Sequence, residues 1–423
     1  MKGPKAIGAL IAAALAVLSV AAQAQLPFEL RDGDRVVFYG DSITDQRLYT
    51  VFTEAFVLTR FPQLRVTFVH SGWDGDRVTG GDGGPIDLRL ERDVISFKPT
   101  MLTIMLGMND GRYRAFDDEL AGTYTTGYEH IVSSVTKALP GIRITVIQPS
   151  PFDDVTRPPK FAGGYNSVVI RYGRFVKEMG EHDGLTVADL NTPMLAMLEK
   201  AKAADPELAQ KIIPDRIHPG DGGHLIMAGA LLKAWNAPRL VASVEIDAAT
   251  KRLVHVERAK VTALHAAEDI SWTEMDDSLP MYLPHPLDAI GKDFALAVHS
   301  SDIVGTLDQE MLEVTGLSNE HYALEIDGQK VGDFSRTRLA QGINLALEAT
   351  PMTEQASRVY ELTVKHNDLH FARWREVQIP FQSLHASREP SVLDALDKLE
   401  DEVVQMQRAA AQPQPRHYVL SPK

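Results

Sequence analysis

Two stretches far apart in the chain hold the residue types of nucleophilic catalysis. In Gly40-Asp41-Ser42-Ile43-Thr44-Asp45 a serine follows an apolar run and stands among residues that start helices. A serine at a strand-to-helix turn lies beside unpaired backbone N–H groups and the positive end of the helix dipole. Both favour an oxygen that gains negative charge. In Ile213-Pro214-Asp215-Arg216-Ile217-His218-Pro219 an acid precedes a base by three residues, so the two can share one turn. The carboxylate can then hold the imidazole's tautomer while the other ring nitrogen faces the serine. Taken singly, the first stretch also fits a cap serine and the second a solvated surface pair.

The surrounding pattern decides between these readings. From Leu26 to about Ala237, short apolar runs at residues 36–39, 66–69, 101–106, 142–148 and 185–188 read as strands. Between them, residues 51–59, 124–138 and 167–181 are compatible with helices, and 223–235 reads as a helix after the last run. Near-continuous apolar strands alternating with helices indicate a parallel sheet covered on both faces, an α/β fold. Ligands of such sheets bind outside the carboxyl ends of the strands. The polar, glycine-rich runs Gly72-Trp73-Asp74-Gly75-Asp76 and Gly107-Met108-Asn109-Asp110-Gly111 fall there, beside Ser42.

After Arg239 the pattern turns β-rich. Residues 240–246 and 253–264 alternate, Asp327-Gly328 marks a hairpin turn, and residues 344–347 read as a further strand. Residues 351–375 and 391–406 read as helices, and those after about Ala409 as a frayed tail. Leu393, Leu396, Glu400, Val403 and Gln407 follow heptad spacing over too short a span for a coiled coil, which leaves a helix packing on its own domain. The expected division is a signal peptide at 1–24, a hydrolase domain at 25–238, a β-rich region with a helix at 239–388, and a C-terminal helix and tail at 389–423. Trp272, Leu279, Pro280 and Tyr282 are expected either to cover the strand-end rim or to cap a face of the first domain.

The motifs resemble those of the SGNH (GDSL) hydrolase superfamily, over roughly residues 33–238. The first block is similar to Gly40-Asp41-Ser42-Ile43-Thr44, the second to Gly75-Asp76, the third to Gly107-Met108-Asn109-Asp110 and the fifth to Asp215-Arg216-Ile217-His218. The stretch around Tyr322–Pro351 is similar to extensions on bacterial acetylesterase-like members. The resemblance implies a flavodoxin-like three-layer α/β/α parallel sheet with a β-rich and helical C-terminal region. It implies Ser42 as nucleophile, His218 as base and Asp215 as its partner, with Ser42, Gly75 and Asn109 forming the oxyanion hole. Where the family often has Asn, five residues before that glycine, this chain has His70. A serine, base and acid already exist, so His70 is expected to be structural. Asp41 and Asp110 are expected to bind backbone.

The formal charge of −14 argues against nucleic-acid or anionic-membrane partners. There is no cysteine, hence no disulfide or thiolate chemistry. Lys2 and Lys5, the apolar run 6–21 and Ala22-Gln23-Ala24 read as a cleavable export signal, which places the protein in the periplasm or outside the cell with no stable membrane insertion. No histidine spacing or calcium-loop pattern suggests a metal, and no cofactor is expected. Trp73, Met108, Tyr113, Phe152 and Tyr165 are candidate substrate contacts, and exposed aromatics there could stack on sugars. The expected activity is hydrolysis of short-chain esters, chiefly O-acetyl groups on carbohydrate. The alternatives are a broader carboxylesterase, lysophospholipase or thioesterase, or a non-catalytic carbohydrate-binding protein.

Overall fold

The computed structural model describes residues 26–382, 384 and 388–423. The expected signal peptide at 1–24 lies outside the described residues. No described helix is long and apolar enough to cross a membrane.

The first module runs β1 (Arg35–Gly40), α1 (Ser42–Asp45), α2 (Leu48–Arg60), β2 (Thr67–Gly72), α3 (Ile86–Asp93), β3 (Met101–Met105), α4 (Asp118–Ala138), β4 (Arg143–Gln148), α5 (Asn166–Asp183), β5 (Thr186–Asp189), α6 (Asn191–Ala204) and α7 (Asp221–Ala234). The strands form one sheet in the order β2-β1-β3-β4-β5, every pair parallel. Val36 to Tyr39 and Met101 to Ile104 are completely buried, as expected for parallel strands with helices on both faces. α2 packs with α7 and α4 with α5. Asp117 caps α4 by accepting the Leu120 N–H at 3.0 Å, and Gly184 ends α5 at φ +68°.

The second module contains β6 (Leu240–Asp247), β7 (Arg252–Glu257), β8 (Ala259–Ala266), β9 (Ile270–Asp276), α8 (Lys292–His299), β10 (Gln309–Thr315), β11 (His321–Ile326), β12 (Gln329–Ser335) and β13 (Ile343–Asn344). Helices α9 (Pro351–Phe371) and α10 (Glu389–Ala410) follow, and the chain ends in β14 (Arg416–Pro422). One sheet has the order β8-β9-β14-β11-β12 and the other β13-β10-β6-β7. Asp327 and Gly328 form the expected β11–β12 hairpin turn, both with positive φ, as a two-residue turn of the primed type requires.

The C-terminal tail is not frayed. β14 pairs antiparallel with both β9 and β11 in the middle of its sheet. Tyr418 and Leu420 alternate into a second core, where Tyr418 stacks on Trp272 at 4.9 Å. The expected boundary between 239–388 and 389–423 therefore does not separate two units. The chain leaves the β-module as α9, turns back as α10, and returns to complete the sheet.

α9 begins with a Thr350/Thr353 capping box and Pro351 in its first turn. It packs against α2, which explains why α2 is buried from Tyr49 to Arg60 rather than on one stripe. The stripe Leu393, Leu396, Glu400, Val403 and Gln407 is the inward side of α10, which packs on α9.

Of the two places expected for the segment around Trp272, Leu279 and Tyr282, it takes the one away from the rim. Trp272 is inside the second core, and the Leu279 N–H donates to the Thr59 carbonyl at 3.0 Å. Thr59 is at the end of α2 remote from Ser42, so this contact caps the first module at the amino ends of its strands. Tyr282 stacks on Tyr360 at 3.9 Å beside Phe52.

Candidate active site

The strand order reverses between β1 and β3, and at such a switch point a parallel sheet takes its ligands at the carboxyl ends of the strands. The register brings the ends level, with Gly40 opposite both Gly72 and Met105. The loops that follow must therefore meet. Ser42 is the first residue of α1, where helix geometry leaves its N–H without an intrahelical partner. Asp41 caps the helix by accepting the Ile43 N–H at 3.1 Å. Gly72 is needed for close approach, because a Cβ there would sit 2.1 Å from the Asp45 nitrogen.

Ser42 Oγ lies 2.8 Å from His218 Nε2, and His218 Nδ1 lies 2.6 Å from Asp215 Oδ2. The other oxygen of Asp215 accepts the N–H groups of Ile217 and His218 at 2.9 and 2.8 Å. Partial burial raises the Asp215 pKa, but the His218 hydrogen bond and these amides outweigh it and hold the carboxyl below its ordinary value. The loop is fixed from outside. Arg157 donates to the carbonyls of Gln210, Ile213 and Pro214 at 2.7, 3.0 and 2.9 Å. Arg216, at φ +77°, donates to those of Asp153 and Pro158. The sequence reading missed both arginines as supports; Arg216 lies inside the motif, whereas nothing local marks Arg157.

After β3, Asn109 Nδ2 donates to the Asp76 carbonyl at 3.1 Å, while its Oδ1 accepts from the Tyr113 hydroxyl at 2.6 Å. The amide is thus held from both sides. Gly75 has φ +69°, which is what demands glycine; a Cβ would meet only Asp82, at 3.7 Å. Behind this loop the fully buried Arg89 donates to Asp76 Oδ2 at 2.7 Å and the Ser71 carbonyl at 2.9 Å, and pairs with Asp93.

The candidate substrate contacts divide. Tyr113 is exposed and its ring packs on Tyr165 and Phe152, with centroids at 5.0 and 6.2 Å. Met108, Phe152 and Tyr165 are buried, and the Tyr165 hydroxyl donates to the Met108 carbonyl at 2.7 Å. They form the floor under Tyr113 and cannot stack on a sugar. Trp73 is partly exposed, but the Arg375 guanidinium covers its ring at 3.3 Å from the centroid.

His70 is structural: it is buried and bonded to Thr50 and Glu54 at 2.6 and 3.1 Å. Burial lowers its pKa to about 4. Asp110 accepts the Val78 N–H at 3.0 Å, and burial pushes its pKa up to about 7. His224 accepts the Tyr49 N–H and lies 3.0 Å from Gln46 Oε1. Among the described residues no group of three or more His, Asp or Glu is placed to hold a metal ion.

A three-layer α/β/α sheet carrying this set at its switch point defines an ester hydrolase. Residues 38–226 match the GDSL-like Lipase/Acylhydrolase family, so the chain carries a GDSL-like acylhydrolase domain. Over 230 residues it is 25% identical to an acetylxylan esterase of Geobacillus stearothermophilus, covering 48% of this chain and 95% of the relative. The solved structure of BT4096, a gut microbial diltiazem-metabolizing enzyme, is 26% identical with a TM-score of 0.80. It covers 94% of this chain and 100% of its own, so the C-terminal architecture is shared as well. The Axe2 acetylxylan esterase structure, from Geobacillus stearothermophilus, matches 49% of this chain and 96% of its own at 26% identity and a TM-score of 0.41.

Proposed function

We propose that the protein is a serine esterase that removes short acyl groups, acetyl above all, from carbohydrate or other small esters. The observation that carries this reading is the unbroken line from Ser42 Oγ through the imidazole of His218 to the Asp215 carboxylate, at 2.8 and 2.6 Å. Ser42 Oγ attacks the ester carbonyl carbon as His218 Nε2 takes its proton. The Asp215 carboxylate stabilises the imidazolium. The tetrahedral oxyanion is bound by the N–H groups of Ser42 and Gly75 and the Asn109 amide. Collapse breaks the bond to the alcohol, which leaves with the proton from His218. Water then gives a proton to His218 and attacks acyl-Ser42, and the acid departs as Ser42 is reprotonated.

The 25% identical relative, an acetylxylan esterase, supports an acetyl substrate. With Met108, Phe152 and Tyr165 buried, sugar stacking lends no support, and small esters are tested equally with saccharides. The experiment is a series of p-nitrophenyl esters of increasing chain length together with acetylated oligosaccharides. The expected result is kcat/KM greatest for acetate and falling with chain length. A rise toward long chains contradicts the short-acyl reading and points to a lipase-like one.

We also infer export to the periplasm or beyond, from Lys2, Lys5, the apolar run 6–21 and Ala22-Gln23-Ala24. N-terminal sequencing of protein recovered from producing cells should find a start after Ala24. An intact Met1 terminus on the accumulated protein contradicts it.

A further inference from the structure

Trp73 stands two residues before Gly75 and is clasped by side chains that the hydrolase sheet does not supply alone. The Arg375 guanidinium lies 3.3 Å from its ring centroid, and those of Arg89 and Arg92 at 5.1 and 5.0 Å. Trp374 meets the ring edge-on at 5.6 Å and donates its indole N–H to Asp93 Oδ1 at 2.8 Å. Arg375 Nη1 also donates to the Gly72 carbonyl at 3.4 Å and lies 3.6 Å from Asp45 Oδ1. One guanidinium thus touches the end of β2, the loop that leads to Gly75, and the helix that begins at Ser42. A planar, weakly hydrated cation on an indole face is a directional contact that lysine does not reproduce.

Trp374 and Arg375 come from the C-terminal helices. They lie in a π-helical turn, Ala372–Gln378, that continues α9. A π-turn inserts a residue per turn and re-aims the side chains, and such turns collect at functional sites. The helix carrying it is pinned to the first module. Glu54 on α2 bonds His366 at 2.8 Å, Gln407 at 3.0 Å, and both Asn367 and His70 at 3.1 Å. Burial opposes a charge on His366, but the carboxylates of Glu54 and Glu400 outweigh it and push its pKa up to about 10. A charged, buried clamp fixes where the π-turn falls.

We propose that Arg375 is a positioning residue for the oxyanion loop: the C-terminal helices hold it on Trp73 so that the Gly75 N–H stays aimed at the reacting carbonyl. The inference rests on the roles given to Ser42 and Gly75 in the proposed function. It assigns the C-terminal region a part in catalysis, delivered through residues 374–375 and not through the segment around Trp272.

The test is the full chain with Arg375→Ala, assayed on p-nitrophenyl acetate beside the parent and Ser42→Ala. The expected result is a fall in kcat of roughly tenfold to a hundredfold with KM changed less than about threefold. Arg375 is 17% exposed, so added guanidinium can reach the vacated place, and low concentrations should restore part of kcat. A role in stability alone would leave kcat of the folded fraction intact and show no such rescue. A parental kcat, or a loss that guanidinium leaves unmoved, overturns the proposal. If Arg375→Ala does not fold, Arg375→Lys carries the test, because it keeps a cation near Asp45 but not the flat contact on Trp73. Its kcat should fall, and a parental kcat overturns the proposal. Full activity in Ser42→Ala would remove the underlying reading instead, whereas an inactive Ser42→Ala beside an unaffected Arg375→Ala rejects this inference alone.

Discussion

Arg60, the last residue of α2, meets Asp308, just before β10, at 3.2 Å with neither side chain exposed. The same guanidinium donates to the carbonyls of Pro238 and Leu307 at 2.7 and 2.9 Å, and Asp308 accepts the Met281 N–H at 2.8 Å. This contact joins the two modules at the end of the sheet remote from Ser42. Burial pushes Asp308 up to about 7 and Arg60 down to about 10, despite their attraction. The pair therefore fixes register more than it adds free energy. Removing one partner leaves a buried charge uncompensated. Arg60→Met should lower the unfolding free energy by about 3–5 kcal/mol, and adding Asp308→Leu should recover part of that. Denaturant titration of the single and double variants checks it, and a single variant as stable as the parent contradicts it.

Beside this pair, the carboxyls of Glu274, Asp276 and Glu310 are buried as neighbours of one another. Burial, with the neighbouring carboxylates, raises all three, Glu310 to about 8. A carboxyl whose folded pKa is raised binds its proton more tightly in the folded state. Its contribution is full below the unfolded value and is lost as pH rises through the folded one. Glu310→Gln should therefore be more stable than the parent at about pH 8, the gap shrinking toward about pH 5. Melting temperatures across that window decide it, and a gap independent of pH contradicts it.

Tyr113 holds Oδ1 of Asn109, and two consecutive positive-φ residues, Arg112 and Tyr113, place it there. Non-glycine residues in that region are strained, so the surrounding contacts must support the loop. Tyr113→Phe should reduce kcat on acetate esters by roughly tenfold, while Asn109→Ala should reduce it by about 10² to 10³. Combined, the two should cost no more than Asn109→Ala alone, because Tyr113 acts through that amide. Additive losses in the double-mutant cycle would show that Tyr113 acts independently.

What could be read from the sequence was local. The apolar runs mark the five parallel strands within a few residues, and Asp327-Gly328 marks its hairpin. The Asp215-x-x-His218 spacing places acid and base on one turn, and one glycine-rich loop after each of three strands places Ser42, Gly75 and Asn109 on one rim. What escaped depends on contacts between distant segments. Arg416–Pro422 alternates for too few residues to announce a central strand, and only the gap between β9 and β11 makes it one. Rim loops have an inner as well as an outer side, so proximity to Asn109 could not tell exposed Tyr113 from buried Met108, Phe152 and Tyr165. Arg375 reaches Trp73 only because α9 folds back over α2, and no spacing in the sequence encodes that.

If Ser42 is the group acylated during turnover, as proposed, a fluorophosphonate will trap it. The reagent is attacked as an ester would be but leaves a bond that water does not readily break. After treatment of the full chain, digestion and mass spectrometry locate the label while residual hydrolysis of p-nitrophenyl acetate is measured on the same sample. The expected result is one phosphonyl group per chain, on Ser42, with loss of activity in proportion to labelling and no labelling in Ser42→Ala. Full activity in a fully labelled sample, or inactivation with Ser42 unmodified, would contradict it.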